Sequence, residues 1–177
     1  VIYSLPNMAE YLTLAHDSKI YSALVERFSA PYYSEEATDR VNALLPELGT
    51  IDSVFQKRYF SQRSQNNQPL RRTPNGANIG TGEILKFDPG WNGYYSATSS
   101  TTSANVALQQ NMAVMLVPSD DAMKVWWNEG GGKPLKDRYG APEFAGMILD
   151  NVEDIIKDMA GVPDNVIVKL LNNNQLN

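Results

Sequence analysis

The sequence contains no cysteine and only one histidine, His16. The absence of cysteine excludes thiolate catalysis, cysteine-based zinc sites and disulfide bonds. A Ser-His-Asp triad would have to use His16, and no G-x-S-x-G turn accompanies that residue. No apolar run is long enough to span a membrane, so we expect no direct membrane insertion of this segment.

Basic residues are fewer than acidic ones: the sequence has 15 Lys and Arg and 20 Asp and Glu, which gives a net charge of -5. This balance argues against binding to nucleic acid or anionic lipid. Residues 57–72 form the one basic stretch, with Tyr59 and Phe60 among the cations. Such a stretch suits an anionic polymer, but a solvated loop is the simpler interpretation.

The 177 residues are 42% hydrophobic and 20% charged, which is typical of a globular domain. The length fits one domain, or one domain with a large insertion, and permits a core without metal or disulfides. Because the chain opens at Val1 without an initiator Met or a signal peptide, we expect an excised piece of a longer precursor.

The hydrophobic pattern predicts helices at both ends and short strands between them. Apolar residues at helical spacing predict helices within residues 6–48, with Ser34 capping the third and Pro31 ending the second. Another helix is predicted from Phe144 to Met159. Strands are predicted at 54–60 and 83–87, and Pro163 suits the first turn of a last helix.

The sharpest local signal is a strand that passes directly into a helix. Met112–Val117 is an uninterrupted apolar run, which predicts a strand buried on both faces. Pro118 ends the strand and Ser119 caps the following helix. Asp120 and Asp121 lie in the first helical turn, where carboxylates complement the positive end of the helix dipole.

Three pieces of the sequence, in this order, resemble the fasciclin family. Residues 115–123, MLVPSDDAM, match its strand–Pro–Ser–Asp–helix signature. Residues 8–26 are similar to its opening helices, and residues 162–174 to a later helix that leads into an Asn-rich stretch. The resemblance implies an α+β fold, with helices packed on a small β-structure. The chain would be a single fasciclin-like domain over 1–177, or part of one, with an inserted irregular or β segment at about 36–108.

The resemblance also implies a function, namely cell-surface adhesion or ligand binding without turnover and without a cofactor or metal. Such domains usually belong to secreted or membrane-anchored proteins, so the parent is expected to be an extracytoplasmic lipoprotein of the cell surface or periplasm. Its partners would be a protein or glycan at the cell surface, or neighbouring domains of the parent chain. The family's Tyr-His signature is expected after Asn174 and is not in this sequence. No binding residue is therefore carried over.

An aromatic turn supports a first alternative, a carbohydrate-binding accessory protein. Trp91, Tyr94 and Tyr95 surround the Asn92-Gly93 turn signal. Aromatic rings on a turn can stack on sugar rings or anchor a protein interface, although a hairpin packed on the helices is the simpler interpretation.

A hydrolase is a further alternative, with Asp120 or Asp121 and His16 as candidates. Adjacent residues of a helix point in different directions, so a helix cap explains the acidic pair more simply than a metal or acid/base site. The stretch 130–134, GGGKP, lacks the hydroxyl residue of a phosphate loop and is interpreted as a helix stop. A third alternative is a structural piece that assembles with neighbouring domains.

Overall fold

A computed structural model describes residues 8–14, 16–61, 75, 77, 84–89, 93–95, 108–109, 114–173 and 175–176. The helices in these ranges are α1 (Met8–Leu14), α2 (Lys19–Glu26), α3 (Glu35–Leu44), α4 (Asp120–Asn128), α5 (Lys133–Tyr139), α6 (Val152–Met159) and α7 (Asp164–Asn172). The strands are β1 (Ser29–Tyr33), β2 (Phe55–Tyr59), β3 (Phe87–Asp88), β4 (Gly93–Tyr95), β5 (Leu108–Gln109), β6 (Val114–Met115) and β7 (Gln175–Leu176). The predicted α+β class is confirmed.

Helix α2 lies at the centre of the helical core and packs against α1, α4, α6 and α7. The apolar stripe predicted from its sequence, Tyr21, Leu24, Val25 and Phe28, is buried. Buried apolar residues of α4, α6 and α7 recur at helical spacing and join those of α2 in one cluster, to which α1 contributes Leu12. The core is therefore mainly helical, with contributions from β2 and β3.

The strands form three small antiparallel sheets. β1 pairs with β2 in a register that places Tyr33 opposite Phe55 and Ser29 opposite Tyr59. A second sheet has the order β3-β4-β5, and the third consists of β6 and β7. The strand predicted at 54–60 is confirmed as β2, whereas the one predicted at 83–87 is reduced to β3 and a bridge between Ser61 and Leu85.

Side chains from the expected insertion belong to the main core. Tyr59, Leu85 and Phe87 are buried in the same cluster as the residues of α2, α4, α6 and α7. Helix α3 lies outside that cluster and is attached by polar contacts instead. Asn42 makes two hydrogen bonds with the backbone of Ile51. Its Nδ2 donates to the Ile51 carbonyl at 3.0 Å, and its Oδ1 accepts from the Ile51 backbone N–H at 2.8 Å.

Pro31 does not end the second helix, so that prediction is wrong. The helix ends at Glu26, and Pro31 lies exposed within β1, opposite Lys57. A proline lacks the N–H that an interior strand needs, but a ribbon of two strands tolerates it. Sequence periodicity across 21–28 concealed this early helix end, because Phe28 is buried although it lies outside the helix.

The single helix predicted from Phe144 to Met159 is also wrong. Phe144 ends a short 3₁₀ turn, and α6 begins only at Val152. Gly146 has a φ of 76°, a left-handed conformation that interrupts a helix. Asn151 then starts α6 by accepting hydrogen bonds from the amides of Glu153 and Asp154.

Candidate functional site

The predicted strand-to-helix junction is present, but its strand is partly exposed; Met112 and Ala113 of the predicted strand lie outside the described residues. The strand β6 covers Val114–Met115 and pairs with β7. The predicted burial on both faces is wrong, because Leu116 is 54% exposed. A sheet of two short strands cannot cover both faces of the segment. Beyond Pro118, Ser119 caps α4 as predicted, with its Oγ 3.3 Å from the amide nitrogen of Ala122.

Asp120 caps a different helix from the one that it begins. Its Oδ1 accepts a hydrogen bond from the amide of Ile20 at 2.8 Å, in the first turn of α2. Its own amide donates to the carbonyl of Asp17 at 2.5 Å. Ser18, at the N-cap of α2, makes no capping bond through its side chain. The Asp120 carboxylate therefore supplies an acceptor to α2 and binds α4 to it.

The two adjacent carboxylates of the hydrolase alternative have different surroundings and partners. Asp120 is buried, whereas Asp121 is exposed and forms an ion pair with Lys124 at 3.2 Å. His16 lies exposed in the turn between α1 and α2. Among the described residues, no group of three or more His, Asp or Glu side chains is arranged to hold a metal ion.

The aromatic turn falls largely outside the described part of the chain. Trp91 is not described, and of Tyr94 and Tyr95 only the backbone is, where β4 pairs with β3 and β5. The carbohydrate-binding alternative at these residues stays a prediction.

The described cations of the basic stretch are already engaged. Lys57 forms an ion pair with Glu26 at 2.5 Å, and Arg58 lies over the ring of Tyr32 at 5.6 Å from its centroid. Burial raises the pKa of the Tyr32 phenol, against the opposing effect of the Arg58 charge. Arg63, Arg71 and Arg72 lie outside the described residues.

A cavity of about 520 Å³ opens beside the Pro118 junction. Four parts of the chain enclose it: α2, the extended residues 116–118, α4 and α7. The residues that line it are Tyr21, Leu24, Leu116, Val117, Pro118, Ala122, Met123, Trp126, Leu170 and Leu171. Nine of these ten side chains are purely hydrocarbon, thioether or indole, and the tenth is a phenol. We call this site the junction cavity.

Two adjacent tryptophans of α4 have different roles, as their positions on the helix predict. Trp127 is fully buried, and its Nε1 donates to Oδ2 of Asp158 at 2.7 Å. Trp126 is half-buried and lines the junction cavity. The two ring centroids are 6.1 Å apart, so the buried tryptophan supports the one that borders the cavity.

The glycines after α4 end the helix as predicted. Gly131 and Gly132 also pack against the Trp126 ring. Helix α4 ends at Asn128, two residues before Gly130. A Cβ atom added to Gly132 would lie 2.7 to 2.8 Å from Cε3, Cδ2 and Cζ3 of Trp126. Neither the packing of glycine on Trp126 nor the cavity was predicted from the sequence. The sequence feature that could have indicated this packing is the glycine run that starts three residues after the tryptophan pair.

Comparisons of the chain with protein-family models, with curated proteins and with solved structures found no match. The resemblance to the fasciclin family therefore stays an expectation from the sequence motifs. The fully buried strand on which that resemblance depended is not found at Leu116. None of the described helices has the length and apolar character needed to cross a membrane.

Proposed function

We propose that this chain is a non-catalytic binding module that holds its ligand in the junction cavity. The observation that carries the proposal is the cavity itself, about 520 Å³ and lined by apolar side chains. Ligand sites in proteins typically have volumes of roughly 300–1,000 Å³ and mostly apolar walls. A cavity of this size and lining is suited to holding a molecule, and none of its described lining residues is a Ser, Cys, His, Lys, Asp or Glu.

The walls of the junction cavity are anchored in the core. Tyr21, Leu24, Met123 and Leu171 are all buried and belong to the main hydrophobic cluster. Side chains packed at interior density lose little further freedom when a ligand binds, so less free energy is spent on ordering the site. Leu116 also lines the cavity and is exposed to solvent.

The placement of the ionisable candidates supports binding over hydrolysis. The Asp120 carboxylate is committed to the first turn of α2, and Asp121 to Lys124. Neither carboxylate is among the residues that line the cavity, and nor is His16.

The cellular setting in this proposal comes from the sequence resemblance. We place the module outside the cytoplasm, in a cell-surface or periplasmic lipoprotein, where it would serve adhesion or ligand capture. Its partners there would be a protein, a glycan or a neighbouring domain of the same chain. Localisation of the tagged parent protein by protease accessibility on intact cells tests this part separately.

A cavity-filling substitution tests the binding site. Ala122 lines the cavity from the exposed side of α4, so Ala122→Phe would occupy ligand space without replacing a core residue. Ala43→Phe, on the exposed surface of α3, is the matched control. A library of small molecules and short peptides is screened by NMR, with the Met123 methyl and the Trp126 indole N–H as reporters.

Ligands are expected to shift both reporter resonances in the wild type and in Ala43→Phe, and to lose binding in Ala122→Phe. Binding that persists unchanged in Ala122→Phe, or ligands that shift only resonances remote from the cavity, would contradict the proposed site.

A further inference from the structure

We infer that the junction cavity takes an uncharged, flat, ring-containing ligand, which packs on the Trp126 indole, and that Gly132 sets the position of that indole. This inference rests on the proposed function and narrows it to a chemical class. Its evidence comes from the geometry of the glycine run and from the chemistry of the cavity walls.

Gly132 lies against the face of the Trp126 ring. A Cβ atom at Gly132 would be nearly equidistant, at 2.7 to 2.8 Å, from three consecutive ring atoms, Cε3, Cδ2 and Cζ3. A point in the plane of the ring, beyond its edge, would be much closer to the middle atom than to its two neighbours. The near-equal distances therefore place Gly132 over the ring face. With that face closed, the opposite face and the edges are left to border the cavity.

The part of the Trp126 indole that lines the cavity favours a flat ligand. Aromatic pairs favour offset or edge-to-face packing, which requires a flat ring in the ligand. Met123 lies in the same wall, and its flexible thioether makes favourable contacts with aromatic rings. Pro118 presents a further rigid apolar surface at the junction.

The wall chemistry determines the charge of the ligand. The described residues that line the cavity include no Asp, Glu, Lys, Arg or His. A charged group transferred from water to such a surface would lose hydration without gaining an ionic partner. A neutral ligand avoids that cost, and among the described side chains of the lining only Tyr21 carries a hydroxyl.

Gly132 can be substituted without backbone strain, which makes it a clean probe. Its φ is -82° and its ψ is -18°, a conformation that alanine readily adopts. The alanine methyl would therefore displace the Trp126 indole without changing the backbone conformation at position 132. A Cβ at the adjacent Gly131 would lie 3.3 Å from Nε1, at the ring edge, so Gly131→Ala is the matched control.

The probe is N-phenyl-1-naphthylamine, which is neutral and aromatic and fluoresces strongly in apolar sites. We expect one probe to bind per chain. Gly132→Ala should weaken binding about tenfold, the loss of roughly one aromatic contact, while Gly131→Ala stays within about twofold. The anionic analogue 8-anilinonaphthalene-1-sulfonate should bind at least about tenfold more weakly at this site, because its charge would be desolvated.

Trp126→Leu provides a second test if Gly132→Ala does not fold. Leucine keeps the wall apolar but removes the flat ring, so affinity for the naphthylamine should fall while affinity for the linear alcohol 1-decanol is retained. Equal binding of the neutral and anionic probes, or unchanged naphthylamine affinity in Gly132→Ala or Trp126→Leu, would overturn the ligand class. If Ala122→Phe still abolished binding in that case, the proposed function would stand. If Ala122→Phe left the binding of every probe unchanged, the proposed function would fail as well.

Discussion

At the scale of single residues, the chain uses short polar side chains to complete the backbone of neighbouring elements. Asn128 donates from Nδ2 to the carbonyl of Leu149 at 2.6 Å and accepts from its amide at 3.0 Å. Asn172 does the same across two residues, accepting from the amide of Lys86 and donating to the carbonyl of Ile84. A side-chain amide resembles the peptide group, so these contacts satisfy backbone groups that lie outside the named strands.

The clearest prediction for a single residue concerns the contribution of Asp120 to stability. Asp120→Ala should lower the free energy of unfolding by about 2 kcal/mol, because the amide of Ile20 loses its acceptor in a buried setting. Asp121→Ala, at the exposed neighbouring position, should change it by less than about 0.5 kcal/mol. Urea denaturation followed by circular dichroism measures both. Equal losses from the two variants would show that Asp120 acts only through the dipole of its own helix.

At the scale of secondary-structure elements, the sequence predicted those whose signals are local. Ser34 and Ser119 cap helices as predicted, because an N-cap depends on a few consecutive residues. The boundaries near Pro31 and Phe144 were missed, because apolar residues at helical spacing continued into segments that are not helical. Near Pro31 the chain pairs with β2, and near Phe144 the left-handed conformation of Gly146 interrupts the helix. The spacing of apolar residues predicts neither feature.

Arg27 joins three helices and carries the prediction at this scale. From the end of α2, its guanidinium donates to the carbonyls of Met159 and Val162 and to the carboxylate of Asp164, the latter two at 2.7 and 2.6 Å. Arg27→Lys keeps the charge but cannot reach all three acceptors, and should lower the free energy of unfolding by about 1–2 kcal/mol.

Asp164→Asn is the comparison for Arg27→Lys. The Asp164 side chain is half exposed, so solvent screens its ion pair with Arg27, and the loss should stay below about 0.5 kcal/mol. Chemical denaturation of the two variants, with hydrogen exchange of the α6 and α7 amides, distinguishes the two contributions. A larger loss from Asp164→Asn than from Arg27→Lys would assign the stabilisation to the ion pair instead of the carbonyl contacts.

At the scale of the whole molecule, the site arises from elements that are far apart in the sequence. Periodicity predicted helices and short strands, the family resemblance implied the α+β class, and the junction at Pro118 followed from a local motif. The junction cavity could not be predicted in that way, because it needs α2, α4 and α7 to converge on residues 116–118. The sequence alone pointed instead to Trp91, Tyr94 and Tyr95, whose side chains lie outside the described residues.

The most direct test of the central claim locates a bound probe by intermolecular nuclear Overhauser effects, using N-phenyl-1-naphthylamine and the wild-type chain. Occupation of the junction cavity predicts contacts from the naphthalene protons to the Met123 methyl, the Trp126 indole and Leu171. Contacts confined to exposed apolar residues elsewhere, such as Leu44 or Ile148, would contradict the claim that this cavity is the binding site.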